Sequence, residues 1–445
     1  MRFYNRQKEI GVFEEIWKNS SNSAQLTLVV GRRRIGKTVL LKKVIEKIPS
    51  VYLFVSRKSE PLLCEEFVRE IETSLQLKIY GEIKTFKSLF AYLMDVSKSQ
   101  RFTVVLDEFQ EFFTINPAIY SDMQNVWDSN KNDSRINLIL CGSIYSMMKK
   151  IFEHTKEPLF ARQTEKISVR AFDIPTLKEI LHDYSPQYSS EDLLAFYLFT
   201  GGIAKYVEIF VNKKCFTLKK MLNEIFRNES YFLEEGKQVL IEEFGKDYGT
   251  YFSILSLISS SKNTRNEMES ILNTSIGGHL ERLEQDFNLI KKNRPLLAKP
   301  GSKQVKYMMR DNFLHFWFRF IYKYASAIEI GNYDYVREIV ERDYKTYSGL
   351  ILEKYFTQQL IESKQFSMIG NYWESGNTNE IDIVAVNDLQ KQISFFEVKR
   401  QKSKIDLSLL EKKSQNLLTK FNDYTTHYIG LSMEDVLEKF KNLKI

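Results

Sequence analysis

The chain has 445 residues, 64 of them Lys or Arg and 57 Asp or Glu, for a formal net charge of +7; 43% are hydrophobic and 27% charged. This length is too great for one hydrophobic core, the composition excludes a disordered chain, and the mild basicity permits an acidic partner without requiring one. Cys64, Cys141 and Cys215 lie far apart, which argues against a disulfide framework or a paired-cysteine zinc site.

The opening stretch MRFYNRQKEIGVFEE carries no apolar signal core, and no apolar run approaches the roughly 20 residues that span a bilayer. A cytoplasmic protein with no membrane partner is expected. Four nearly continuous apolar runs follow: QLTLVV (25–30), VYLFVS (51–56), FTVVLD (102–107) and INLILCG (136–142). Alternating with helical segments, they predict an α/β domain built on a P-loop NTPase parallel sheet over residues 1–175. A helical lid is expected over 176–247, a winged-helix domain over 248–330 and a further α/β domain over 331–445.

GRRRIGKT, from Gly31 to Thr38, matches G-x-x-x-x-G-K-[ST] and sits between a strand and the helical TVLLKKVIEKI. The backbone of Gly31, Arg34, Ile35 and Gly36 can surround phosphate oxygens. Lys37 can reach the β- and γ-phosphates of ATP, and the Thr38 hydroxyl can ligate Mg²⁺. Asp107 and Glu108 end the strand FTVVLD, where Asp107 would hold Mg²⁺ and Glu108 would act as general base on the attacking water. Ser143, after INLILCG, reads either as a γ-phosphate contact or as a plain turn. Arg162 reads either as a phosphoryl-stabilising group, in cis or from a second copy in a homo-oligomer, or as a salt-bridged arginine.

Together FYNRQKEIGVFEEI (3–16), GRRRIGKT, VVLDEFQEF (104–112), LILCGSIYSMM (138–148), PLFAR (158–162) and GGIAKY (201–206) resemble the archaeal-type ATPases of the STAND class, relatives of the AAA+ proteins. The resemblance implies that Arg6 and Glu9 lie near the nucleotide. The family usually has Gly where this chain has Ala161, and Pro where it has Ala204.

Farther on, YGTYFSILSLISS (248–260), TRNEMESILN (264–273) and SIGGHLERLEQDFNLI (275–290) read as three helices, with Thr264 as an N-cap. A basic hairpin with a Pro/Gly turn at 300–301 follows, carrying Lys291, Lys292, Arg294, Lys299, Lys303 and Lys306. Such a hairpin can dock on DNA, although Glu281, Glu284 and Asp286 on the preceding helix would repel it; the family resemblance implies a regulatory lid instead. DNFLHFWFRFIYKY (311–324) reads as a buried aromatic helix with His315 packed inside.

In the last region Glu353 lies on a predicted helix, Asp382 begins a strand, and Glu397 and Lys399 share one face of the next strand. Helix Glu, strand Asp, then Glu-x-Lys is the layout of a restriction-endonuclease-like PD-(D/E)XK fold. Asp382 and Glu397, with Glu353 added, would gather Mg²⁺ or Mn²⁺, and Lys399 would activate water or stabilise the transition state. These readings converge on an ATP-binding and hydrolysing protein that regulates a metal-dependent DNA nuclease. The alternative is a STAND-type signalling switch or DNA-binding regulator whose last domain does not cleave.

Overall fold

The computed structural model describes residues 1–245, 248–299 and 301–438. Lys246 and Asp247 of the expected lid, Pro300 of the expected hairpin turn and the final stretch 439–445 lie outside the described residues. The chain forms two compact units, Tyr4–Ala171 and Met1–Phe3 with Phe172–Ile445.

The first unit is built on five strands: β1 (Gln25–Val30), β2 (Ser50–Phe54), β3 (Thr103–Asp107), β4 (Asn137–Cys141) and β5 (Glu165–Ser168). All pair in parallel, in the order β2-β3-β4-β1-β5. The central strands are buried along their whole length, as apolar runs covered on both faces should be. Leu26, Leu28, Val104, Leu106, Leu138 and Leu140 share a core with Phe67, Phe90, Met123 and Trp127 from three helices. Gln25↔Asn137, Val104↔Leu138 and Phe54↔Asp107 fix the register, so the segments after β1, β3 and β4 leave from one sheet edge. The sequence reading missed β5. Its residues EKIS bury only Ile167, so no apolar run marks it.

The second unit opens with five helices between Ile174 and Phe244. Three more follow, Tyr248–Ser259, Arg265–Leu272 and Gly277–Gln285, and then an antiparallel hairpin of β6 (Ile290–Asn293) and β7 (Lys306–Met309). Thr264 precedes its helix in an extended conformation, but its side chain makes no capping hydrogen bond. The aromatic segment is buried as expected. Trp317 donates to Leu233 O at 2.8 Å, and His315 meets the Tyr347 hydroxyl at 2.9 Å. Burial holds the His315 imidazole well below its usual pKa, so it packs as a neutral ring.

A 31-residue helix, Tyr333–Ser363, leads into a separate mixed sheet. Its strands are β8 (Met368–Tyr372), β9 (Ile381–Asn387), β10 (Gln392–Val398) and β11 (Thr425–Leu431), in the order β11-β10-β9-β8. The β10–β11 pair is parallel and the others antiparallel. Val384, Val386, Ile393 and Phe395 pack against Leu410 and Leu417 of the helix Leu407–Leu418. The outer strands β8 and β11 escaped the sequence reading because their residues are only partly buried and mix polar with apolar types.

Candidate active sites

The loop GRRRIGKT connects β1 to the helix Lys37–Ile45. Gly36 takes φ 95° and Arg34 φ 67°, so the backbone turns through the left-handed region twice before the helix begins. Gly31 passes so close to the residue that follows β5 that a Cβ would lie 2.7 Å from Val169 O. The Lys37 ammonium folds back into this loop and donates to Gly31 O at 2.8 Å and Arg32 O at 3.1 Å. Those carbonyls hold it at the mouth of the loop, where phosphate oxygens would compete for it.

Asp107 ends β3 in a buried position. Its Oδ2 accepts from Thr38 Oγ1 at 3.3 Å and from the Tyr52 hydroxyl, while Oδ1 accepts from the Glu108 N–H at 3.0 Å. Thr38 and Asp107 are thus paired as hard oxygen donors, which suits Mg²⁺. Tyr52, on neighbouring β2, was not singled out from sequence because an aromatic residue inside an apolar run reads as core. Its burial and the Asp107 charge push its phenol well above the usual range, so it remains a proton donor. Cys141, deep beside Asp107, is likewise held as a thiol by burial.

Glu108 also adopts a left-handed backbone, φ 55°. Its Oε2 accepts from Ser143 Oγ at 2.6 Å and from Gln110 Nε2 at 2.5 Å. Ser143 therefore meets the glutamate that was expected to act as base. Gln110 is a second holder that sequence reading passed over. A Cβ on Gly142 would strike Met148 Sδ and Gln110 Oε1, so any side chain here has to displace both.

Arg6 is buried and donates to Ile35 O at 3.3 Å and Arg170 O at 2.8 Å, with Glu9 3.3 Å away. It braces the phosphate loop through a backbone carbonyl. Arg162 lies elsewhere. It precedes β5, whose Glu165 pairs with Thr27, and forms an ion pair with Asp128 at 3.0 Å. From Leu26 to Gly31 the strand advances about 16 Å. Within one chain, then, Arg162 sits at the amino-terminal edge of the sheet, away from the phosphate loop, and of its two readings the salt-bridged arginine is the one found within the chain. Its position after PLFA in sequence carried no information about sheet edge, which the parallel register decides.

The C-terminal residues converge from three elements. Asp382 on β9 accepts from the Val398 N–H at 2.8 Å and from Lys399 Nζ at 3.3 Å. Glu397 on β10 is 7% exposed; it lies 3.5 Å from Lys399 Nζ and accepts from the Asp406 N–H at 2.7 Å. Glu353 projects from the long helix toward the same group. Burial first, and then the Asp382 charge, push its carboxyl up to about 8. The desolvated Lys399 ammonium is nonetheless held above its usual pKa by Asp382 and Glu397.

Among the described residues, no three or more His, Cys, Asp or Glu side chains stand in metal-binding array. The expected gathering of one or two cations by Asp382 and Glu397, with Glu353 added, thus has no preformed three-ligand array among the described residues. Lys399 stands between Asp382 and Glu397 as their counter-charge, and Glu353 favours its neutral form. The hard-oxygen chemistry of Asp382 and Glu397 still suits Mg²⁺ or Mn²⁺. No helix among the described residues is long and apolar enough to cross a membrane.

Comparison with known proteins bears on this geometry. A family model described as an ATPase domain predominantly from Archaea matches residues 3–210, and one described as archaeal and bacterial proteins of unknown function matches 317–408. An uncharacterized protein of Methanocaldococcus jannaschii is 29% identical over 97% of this chain and 96% of its own length. An uncharacterized ATP-binding protein of the same organism is 46% identical over 44 residues, 10% of this chain and 71% of that protein. Among solved structures, a Walker-type ATPase of Pyrococcus abyssi superposes with a TM-score of 0.55 at 18% identity, covering 71% of this chain and 96% of that one. Strand order, phosphate loop and family match agree: residues 3–210 are similar to an ATPase domain found predominantly in Archaea.

Proposed function

We propose that the chain binds and hydrolyses MgATP at Gly31–Thr38, Asp107 and Glu108, and that its C-terminal sheet is a PD-(D/E)XK-type site for metal-dependent cleavage of DNA under ATPase control. The observation that carries the nuclease reading is the meeting of Asp382, Glu397 and Lys399, with Glu353 directed at the same group. Two carboxylates, an ammonium and a protonatable third carboxyl supply cation ligands, charge stabilisation and a proton store. Bound Mg²⁺ or Mn²⁺ would supply Lewis acidity there. The helices 248–285 and the β6–β7 hairpin are read as a winged helix.

In the ATPase site, Lys37 exchanges loop carbonyls for phosphate oxygens, and Asp107 with Thr38 offers the cation site. Glu108 acts on water once it leaves Ser143 and Gln110. The test is cleavage of plasmid and single-stranded oligonucleotides with Mn²⁺, with and without ATP, by the parent, Asp382→Ala and Lys399→Ala. Cleavage lost in both variants supports the nuclease. Equal cutting by the variants, or no divalent-metal binding by the parent, rejects it in favour of a non-cleaving switch.

A further inference from the structure

The segment between residues 291 and 306 carries six basic residues and no acidic one. It is tied to the sheet that bears the carboxylates. The Leu296 N–H donates to Asn371 O at 2.8 Å, and Asn293 Nδ2 donates to Asn371 Oδ1 at 3.0 Å. Asn371 in turn donates to the backbone carbonyl of Asp382, so the connection runs through β8 to the site itself. Gly370, beside it, admits the Leu296 side chain against the strand.

At the far side of the hairpin, Lys306 Nζ lies 3.0 Å from Glu380 Oε1 and 4.6 Å from the centre of the Trp373 ring. Its charge also acts on the Glu353 carboxyl. The Lys306 side chain is 18% exposed, whereas Glu380 is 53% exposed. An indole face and a mostly covered stem hold the ammonium in place. Its carboxylate partner, by contrast, is half in water, where an ion pair adds little. Lys306 is therefore a positioned cation whose partner is readily exchanged for a stronger anion. Lys292 is not comparable, being paired at 2.6 Å with the mostly covered Glu284.

We infer that Lys306 is a substrate-positioning residue: it binds a phosphate of a nucleic-acid strand laid from the hairpin toward Asp382 and Glu397, with Glu380 as its partner when no strand is bound. The destination of the strand rests on the nuclease reading; the phosphate contact does not. Glu380 then acts as a competitor for the same ammonium. Replacing either member of a pair remote from the strand leaves binding nearly unchanged at moderate salt, where its field is screened. Replacing members of this pair shifts it in opposite directions.

The experiment titrates a labelled single-stranded 20-mer into the full chain by fluorescence anisotropy in EDTA, over a salt series, with the parent, Lys306→Gln and Glu380→Gln. Losing the phosphate contact should weaken binding by about 3- to 10-fold in Lys306→Gln and lower the salt slope by about 0.7. Glu380→Gln should tighten binding about 2- to 5-fold, the range of a weak exposed ion pair. Shifts in the same direction, an unchanged slope, or no oligonucleotide binding at low salt would overturn the inference. Thermal melting confirms that both variants fold; the Glu380→Gln gain cannot arise from misfolding. Mn²⁺ calorimetry and cleavage on the same preparations separate the two readings. Opposite shifts without metal binding or cleavage retain Lys306 as a phosphate ligand and remove the nuclease. Cleavage with no response to either substitution does the reverse.

Discussion

Glu353→Gln should make the stability of the second unit much less dependent on pH. In the folded chain, burial and the Asp382 charge raise the Glu353 carboxyl from an ordinary 4.5 to about 8. In the unfolded chain it titrates near its ordinary value. Between these two values the folded state holds the extra proton, so stability falls as pH rises from about 4.5 to about 8. At about 1.36 kcal/mol per pKa unit, the ceiling on this loss is about 5 kcal/mol. Relaxation around the ionised carboxylate reduces it to an expected 2–3 kcal/mol or about half the ceiling. Lys354 acts in the opposite sense. Burial lowers its ammonium from 10.5 to about 8, so its cost is fully present below pH 8 and fades as pH rises toward 10.5. The parent should therefore pass through a stability minimum near pH 8. Urea denaturation followed by circular dichroism at pH 5.5, 7 and 8.5 gives the loss for parent and variant, and their difference cancels the other carboxylates. An equal loss in both proteins between pH 5.5 and 8.5 would refute the argument.

Other perturbations test the ATPase unit and the charged surface. Lys37→Ala should abolish ATP binding in calorimetry, because it removes the ammonium that Gly31 O and Arg32 O anchor in the loop. Glu108→Gln should bind ATP as the parent does and lose at least 10²-fold in hydrolysis rate, measured as phosphate release, since it removes the base and keeps the phosphate contacts. Gly142→Ala should cost about 1–3 kcal/mol in denaturant unfolding, because its Cβ meets Met148 and Gln110. Any affinity for DNA should fall steeply between 50 and 200 mM salt in a binding isotherm, and a flat response would assign the basic hairpin to solvent alone.

The sequence alone was sufficient for those features that depend on local pattern. The phosphate loop needs glycines, a lysine and a threonine at fixed spacing, and continuous apolar runs announce buried parallel strands; 25–30, 102–107 and 136–142 match β1, β3 and β4 to within a residue at either end. Asp382, Glu397 and Lys399 were legible for the same reason, since period-2 alternation fixes their face. Edge strands with one buried residue, such as β5, left no such trace. Only the tertiary structure decided which partners each polar group meets. Tyr52 reaches Asp107 because β2 pairs with β3, and Ser143 reaches Glu108 because β4 ends beside β3. Arg162 pairs with Asp128 because β5 adds parallel to β1 and brings its start to the opposite sheet edge. Lys306 meets Glu380 and Trp373 across 74 and 67 positions of sequence for a comparable reason: the hairpin hydrogen-bonds to β8 through Asn371. Spacing along a chain determines a face or a turn, whereas strand order and register, set by burial of whole surfaces, determine which faces and ends come together.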